Sequence, residues 1–202
     1  MKTMELNRRQ FLKTTGALVV SFNLFPPSSD LFGQSSPAAS GEPDPTQLDS
    51  WIAVSQDGTV TIFTSKVELG TGIETALAQI AAEELDVSLR KIKVDMGDTS
   101  KTIDQATTSG SRTIERAGPQ VRQAAAAARK ELLRMAAERL GAPAEKLTVR
   151  DGVVSVPGNP SKRISYAQLI GGKRFNVSIQ AEGRGNDLKL AQDVKAKDPK
   201  AY

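Results

Sequence analysis

The chain has 202 residues, 39% of them hydrophobic and 25% charged, which is typical of one globular domain with appended segments. It contains neither cysteine nor histidine, and this excludes disulfides, iron–sulfur clusters, zinc fingers and any Ser–His or Cys–His catalytic pair within the chain. The formal net charge of +4 is too small and too scattered to predict nucleic-acid binding.

The first 38 residues are predicted to be an export signal. The pair Arg8-Arg9 is followed by Phe-Leu-Lys and then by a short apolar run over 16–25. This run is far below the ~20 apolar residues that a transmembrane helix needs. The adjacent arginines resemble the twin-arginine signal, which exports folded proteins. An amphipathic N-terminal helix is the alternative.

The export signal implies a periplasmic or otherwise exported protein that meets the membrane only through this segment. Proline, serine, glycine and alanine are frequent after the apolar run, and we expect a linker over 39–49. The folded part is then predicted over 50–182.

The folded part is predicted to begin with a hairpin and a helix. Two β-rich runs in "WIAVSQDGTVTIFTS" are joined at Asp57-Gly58, a dipeptide typical of a type I′ turn. After the loop "ELGTGIET", apolar residues recur on one face from Glu74 to Leu85 and predict a helix. The segment "KIKVDM" alternates with period two and predicts a strand, and a polar loop over 97–113 follows.

An alanine-rich segment after this loop predicts a long helix. Its apolar residues recur with a period near 3.6 from Val121 to Met135. Pro119 is expected in its first turn, and Gly141 is expected to end it.

A second hairpin and a short helix are predicted next. The hairpin "KLTVRDGVVSV" has Asp151-Gly152 at its turn. The segment "ISYAQLIGG" predicts a short helix with Ser165 as its N-cap. The tail over 183–202 has no clear period and is expected to be a connector to a missing domain.

The predicted element order is β-β-α-β-α-β-β, which is not a series of alternating βα units. This order predicts an α+β fold in which a mixed β-sheet carries the two main helices on one face.

Two loops have residue types that suit phosphate binding. Gly70, Thr71 and Gly72 directly precede a predicted helix, where glycines allow a close approach and main-chain N–H groups are unpaired. Residues 107–112 concentrate hydroxyls, a glycine and a guanidinium before the other helix. A tight turn and a helix cap are the alternatives, and Glu68 opposes an anion at the first loop.

Neither loop fits a nucleotide-binding motif, because GxxxxGK[ST] is absent and the first loop lacks the third glycine of GxGxxG. A metal ion would need an all-oxygen site or would arrive already chelated by a cofactor. Asp95, Asp98 and Asp104 suggest an acid/base site, with solvated loop carboxylates as the alternative.

Three spaced motifs together resemble a known family. They are "KVELGTGIETALAQIAAEELDV", "VDMGDT" and "DQATTSGSRT", and the alanine-rich helix follows them. The combination resembles the molybdopterin-binding large subunit of the xanthine dehydrogenase/aldehyde oxidase family, in the exported branch similar to the isoquinoline 1-oxidoreductase β subunit. The resemblance covers roughly residues 50–202.

The resemblance implies a cofactor and partners. The intact subunit of this family hydroxylates a carbon next to nitrogen, or oxidises an aldehyde, at a molybdenum bound to molybdopterin, often as the cytosine dinucleotide. Electrons then pass to a separate iron–sulfur subunit. The residues that the resemblance places against the pterin or its dinucleotide extension are Gly70, Thr71, Gly72, Thr108, Ser109, Gly110 and Ser111.

This sequence departs from the family at several points. Thr71 stands where the family commonly has glutamine, and Ala106 stands where a glycine is expected. The family subunit is several times longer, and the motif that carries its catalytic glutamate does not occur here, so no catalytic residue is assigned. We expect an N-terminal part of the subunit, inactive alone, which binds cofactor together with the remaining part. A non-catalytic exported interaction or assembly module with the same fold is the alternative.

Overall fold

A computed structural model describes residues 43–191 and 195–198. The predicted export signal and the first residues of the predicted linker therefore lie outside the described residues. The elements, in chain order, are β1 Ile52–Val54, β2 Val60–Thr64, α1 Ile73–Leu85, β3 Ile92–Met96, α2 Thr113–Leu140, β4 Thr148–Arg150, β5 Val153–Val156, β6 Asn159–Ser165, α3 Tyr166–Ile170, β7 Ala181–Glu182 and β8 Lys189–Leu190. The predicted α+β class is confirmed.

The strands form three small sheets. In the first, β1 pairs antiparallel with β2, and β2 pairs parallel with β3 across the helix α1, which gives the predicted mixed sheet. The second hairpin forms a separate antiparallel sheet, β4-β5-β6. The strand β6 was not predicted, because its Asn-Pro-Ser-Lys-Arg segment is polar and largely exposed. The third sheet is the short pair β7-β8.

The two long helices pack against each other over the sheets. The predicted apolar face of α1 is buried, with Leu77 and Ala81 fully enclosed. The alanines at 124–128 of α2 are all buried, and their small side chains allow the helix to lie close to its neighbours. Within the described residues, no helix is long and apolar enough to cross a membrane.

The bounds of α2 differ from the prediction at one end. The helix ends at Gly141, which has a φ of 63°, as predicted for a glycine C-cap. The predicted position of Pro119 is wrong, because α2 begins at Thr113 and places this proline inside the helix. Proline cannot donate to the carbonyl of Glu115 one turn earlier, and the helix tolerates it because both residues are exposed to solvent.

The two Asp-Gly turns differ. Asp151 and Gly152 both have positive φ, 50° and 73°, which confirms the type I′ prediction there. The same prediction is wrong for the first hairpin, where only Gly58 has positive φ. The carboxylate of Asp57 instead accepts a hydrogen bond from the N–H of Thr59 at 2.9 Å and stabilises a longer turn.

The short helix α3 is built as predicted. The Ser165 hydroxyl accepts a hydrogen bond from the Gln168 N–H at 3.1 Å, and the Ser165 N–H donates to the Gln168 side chain at 2.9 Å, which is a capping box. The buried Tyr166 hydroxyl donates to the carbonyl of Leu85 at 3.0 Å. This bond ties α3 to the end of α1.

The segment predicted as a connector makes specific contacts. Leu188 and Leu190 are buried in and beside β8. Further along, the N–H of Lys197 donates to the Glu84 carboxylate at 3.1 Å, and its ammonium donates to Asp86 at 2.5 Å. These contacts hold residues of the tail against the C-terminal end of α1.

Candidate functional site

The two predicted loops meet where the chain leaves β2. The N–H of Val67 donates to the Thr108 hydroxyl at 3.1 Å. The N–H of Ser65 donates to the side chain of Gln105 at 2.9 Å, and the N–H of Gln105 donates back to the Ser65 hydroxyl at 3.0 Å. The segment before the first loop is therefore fastened along the start of the second loop.

A buried lysine lies at this junction. Lys66 is 2% exposed, and its ammonium donates to the carbonyls of Gln105, Ala106 and Thr107 at 2.5, 3.1 and 3.0 Å. Burial lowers the pKa of Lys66, the positive charge of Arg116 lowers it further, and Asp104 acts in the opposite direction. The burial of Lys66 could not be predicted from the sequence, because the residues next to it in the chain give no indication of it.

The second loop contains three residues in the left-handed region of backbone space. Ala106, Gly110 and Ser111 have φ values of 61°, 63° and 54°. This region favours glycine, because a Cβ atom crowds the backbone there. Ala106 stands at the position where the resemblance leads us to expect a glycine, and its positive φ explains that expectation.

Three cations converge beside the second loop on a cleft of about 170 Å³. Its lining residues are Lys66, Ser109, Gly110, Arg112, Arg116 and Asn186. No carboxylate is among them, so the cleft suits an anion. Its volume is below the roughly 300–1,000 Å³ of pockets that enclose drug-sized ligands. The cleft therefore fits a phosphoryl group and not a whole nucleotide.

The first loop is arranged differently from a phosphate cradle. The carboxylate of Glu68 accepts hydrogen bonds from the N–H groups of Thr71, Gly72 and Glu74 at 2.5, 3.1 and 3.1 Å. These bonds, led by that from Glu74, lower the pKa of Glu68 to about 2. The N–H groups at and just before the start of α1 thus already bind the carboxylate of Glu68, whose negative charge would repel a bound phosphate.

Gly70 and Gly72 present an open, uncharged backbone surface. Both have positive φ, 82° and 76°, and a Cβ atom added at either would lie more than 4 Å from every described residue except its chain neighbours. Thr71 between them is exposed. This part of the loop can therefore lie against a flat neutral group.

The predicted site residues of the second loop divide into two sets. Ser109 and Gly110 line the cleft. Thr108 turns its hydroxyl to the main chain of Val67, and Ser111 is exposed and outside the cleft lining.

Besides Lys66, two further cleft residues were not predicted from the sequence, Arg116 and Asn186. Arg116 lies in the first turn of α2, four residues after Arg112, which directly precedes the helix, and this spacing places the two side chains on the same side. Asn186 comes from the tail, whose sequence has no period that could place it.

A buried polar chain supports the second loop from below. The Thr64 hydroxyl donates to Gln105 at 2.6 Å, Gln105 donates to Gln120 at 2.5 Å, and Gln120 donates to the carbonyl of Leu188 at 2.6 Å. These bonds connect β2, the second loop, α2 and the segment that carries Asn186. Each member satisfies a buried polar group of the next.

The aspartates that suggested an acid/base site are engaged in local contacts. Asp98 pairs with Lys101 at 2.8 Å, and hydrogen bonds from Lys101 and Ser100 lower the pKa of Asp98 to about 2. Asp104 accepts a hydrogen bond from the N–H of Ala106 at 2.7 Å. These contacts favour the alternative, in which the aspartates are loop carboxylates without a role in acid/base chemistry. Among the residues that the structure describes, no cluster of acidic side chains could hold a metal ion.

Comparison with known proteins gives relatives along most of the chain. A nicotinate dehydrogenase subunit of Pseudomonas putida is 40% identical over 189 residues, which is 94% of this chain and 15% of that protein. The beta subunit of isoquinoline 1-oxidoreductase of Brevundimonas diminuta is 32% identical, over 84% of this chain and 22% of that protein. The chain thus spans about a fifth or less of the length of these relatives.

Solved structures share the fold. Carbon monoxide dehydrogenase from Oligotropha carboxidovorans matches with a TM-score of 0.52 and 28% identity, over 58% of this chain and 15% of that chain. Quinoline 2-oxidoreductase from Pseudomonas putida 86 matches with a TM-score of 0.51 and 28% identity, over 69% of this chain and 19% of that chain.

A family model described as the molybdopterin cofactor-binding domain matches residues 29–202. This match covers both loops, the cleft and all described elements. The chain therefore belongs to the molybdopterin cofactor-binding domain family, as its resemblance to the molybdenum-binding subunits of the xanthine dehydrogenase/aldehyde oxidase family predicts.

Proposed function

We propose that this chain is the N-terminal part of a molybdenum hydroxylase or aldehyde oxidoreductase subunit and forms one wall of its molybdopterin site. The observation that carries the proposal is the convergence of Lys66, Arg112 and Arg116 on one cleft beside the second loop. Such a cleft binds the anionic part of a phosphate-bearing cofactor. The molybdenum of the bound cofactor supplies the two-electron redox chemistry, and the residues of this chain bind and orient the group.

Each loop has its own part in the proposed site. Ser109 and Gly110, with the guanidinium groups of Arg112 and Arg116, bind a phosphoryl group through charge, a hydroxyl and main-chain N–H groups. Lys66, whose three donors are taken by main-chain carbonyls, adds its positive charge to the cleft. The number of cations favours the cytosine dinucleotide form, whose pyrophosphate carries more negative charge than a single phosphate. Gly70, Thr71 and Gly72 lie against the uncharged pterin, in keeping with their open neutral surface. Thr108 and Ser111 complete the loop that faces the dinucleotide extension.

The remaining parts of the activity are proposed to come from elsewhere. The rest of the molybdenum subunit supplies the catalytic glutamate, so this chain is inactive alone, and an iron–sulfur subunit receives the electrons. The greater length of the relatives supports this division. The Arg8-Arg9 motif supports export by the twin-arginine route to the periplasm.

A titration of the full chain with cytidine 5′-diphosphate at low salt tests the proposal. Arg112→Gln combined with Arg116→Gln removes two charged donors, and each charge-assisted bond is worth about 1.5–3 kcal/mol. We expect CDP to bind the double variant at least about tenfold more weakly than the wild type by calorimetry. Arg163→Gln on the exposed strand β6 is the matched control and retains wild-type affinity.

Two outcomes would contradict the proposal. Equal weakening by Arg163→Gln would mean that CDP responds only to overall positive charge. No measurable binding of CDP to the wild-type chain would favour the alternative function, a non-catalytic exported interaction or assembly module.

A further inference from the structure

We propose that Lys66 is the positioning residue of the second loop, holding residues 105–111 in the shape that presents Ser109 and Gly110 to the cleft. This proposal rests on the proposed function in one respect only, the binding of the cofactor's phosphoryl group by the loop. The positioning itself is a property of the chain alone.

The contacts of Lys66 are unusual for a buried cation. In the described part of the chain, its hydrogen-bond acceptors are three successive main-chain carbonyls, those of Gln105, Ala106 and Thr107. An ammonium has three donors, so these carbonyls use its full capacity. Taking a cation out of water is costly unless its donors are satisfied, and the loop must therefore keep all three carbonyls turned inward.

The conformation that Lys66 imposes is strained. Turning three consecutive carbonyls toward one point requires a reversal of the chain, and Ala106 provides it with a φ of 61°. A residue with a Cβ atom stays in this region only when its surroundings hold it there. The carbonyls bound by Lys66 belong to Ala106 itself and to both of its neighbours, so the lysine acts directly on the strained unit.

The reversed segment leads straight into the predicted site. Thr108 follows it and is fixed by the N–H of Val67 at 3.1 Å, and Ser109 and Gly110 come next at the cleft. Val67 is the residue directly after Lys66 in the chain. One short segment thus holds the second loop at two successive points, once by the lysine side chain and once by the main chain.

The absence of cysteine from the chain allows a chemical test. Lys66→Cys introduces the only thiol, which is alkylated in denaturant and then refolded. Aminoethylation restores a lysine analogue with an ammonium at the same distance from the main chain. Propylation gives a side chain of the same number of heavy atoms without the charge and its donors. Wild-type chain taken through the same treatment is the refolding control.

Hydrogen exchange read by mass spectrometry is the measurement. We expect amides of 105–112 to exchange at least about tenfold faster in the propylated than in the aminoethylated form, while amides of 124–132 in α2 differ by less than about twofold. A merely structural lysine would speed exchange in both segments. Equal exchange of 105–112 in the two forms, or equal acceleration of both segments, would overturn the proposal.

Directly expressed variants cover the case in which neither alkylated form refolds. Lys66→Arg keeps charged donors and is expected to retain loop protection within about threefold of wild type, whereas Lys66→Met loses it. Equal protection in the two variants would overturn the proposal. CDP affinity of the same proteins is a separate readout: if wild type fails to bind CDP while the exchange difference stands, the proposed function fails and the positioning role does not.

Discussion

Replacing Gln105 by methionine should destabilise the protein by breaking the polar chain beneath the second loop. Gln105 is 2% exposed. It accepts hydrogen bonds from the Thr64 hydroxyl and the Ser65 N–H, and it donates to Gln120. Methionine has a similar length but makes none of these bonds. The buried Thr64 hydroxyl, the half-buried Ser65 N–H and the buried side-chain oxygen of Gln120 are therefore left without their partner.

The size of the effect follows from these three groups. A buried polar group that loses its partner costs about 1–3 kcal/mol. Taking the lower bound for each, because the side chains can relax in part, the free energy of unfolding should fall by about 3 kcal/mol. In a domain of this size each kcal/mol corresponds to about 2–4 °C, so the melting temperature should fall by roughly 6–12 °C.

Thermal unfolding of the full chain, followed by circular dichroism, measures this effect. Ser109→Ala is the control in the same loop, because Ser109 is exposed and, among the described residues, its hydroxyl has a hydrogen bond only with the Thr107 hydroxyl, at 3.3 Å. Its unfolding free energy should stay within about 0.5 kcal/mol of wild type. A melting temperature of Gln105→Met within about 2 °C of wild type would refute the reasoning.

Three further predictions concern packing, a helix end and pH. Leu132→Ala removes a fully buried side chain of α2 and should lower the urea-measured unfolding free energy by about 2–5 kcal/mol; a loss below about 1 kcal/mol would contradict the packing. Tyr166→Phe leaves the Leu85 carbonyl without the donor it has at 3.0 Å and should cost about 1–3 kcal/mol in the same assay, with a neutral result counting against this bond. The pKa of Glu68 lies at about 2, below its ordinary 4.5, so the stability that it contributes is present above pH 4.5 and is lost as the pH falls toward 2. Glu68→Gln should flatten the pH dependence of unfolding in that window, and an unchanged slope would show that the carboxylate does not cap α1.

The local features of the fold could be predicted because their signals are local. The apolar face of α1, the end of α2 at Gly141 and the capping box at Ser165 each depend on residues within one or two turns of each other. The start of α2 could not be predicted from Pro119. Proline prefers the first turn of a helix, but a later turn that is exposed to solvent can also accommodate it.

The site could be predicted only in part. Hydroxyl and glycine residues in the second loop indicated an anion site, and Ser109 and Gly110 do line the cleft. The role of Glu68 depends on the folding back of one carboxylate onto α1, and the cleft depends on residues 66, 116 and 186, which are far apart in the chain. Composition and periodicity carry no information about such contacts.

Titration of isotope-labelled full-length chain with inorganic pyrophosphate, followed by amide NMR, tests the central claim most directly. Because the second loop lies at the cationic cleft and Glu68 caps the first loop, we expect pyrophosphate to bind at the second loop and not at the first. We predict that the shifted amides cluster at 109–112 and that the amides of Thr71, Gly72 and Glu74 change little, because the Glu68 carboxylate already occupies them. Shifts centred on the start of α1, or spread evenly over the basic surface, would contradict the proposed site.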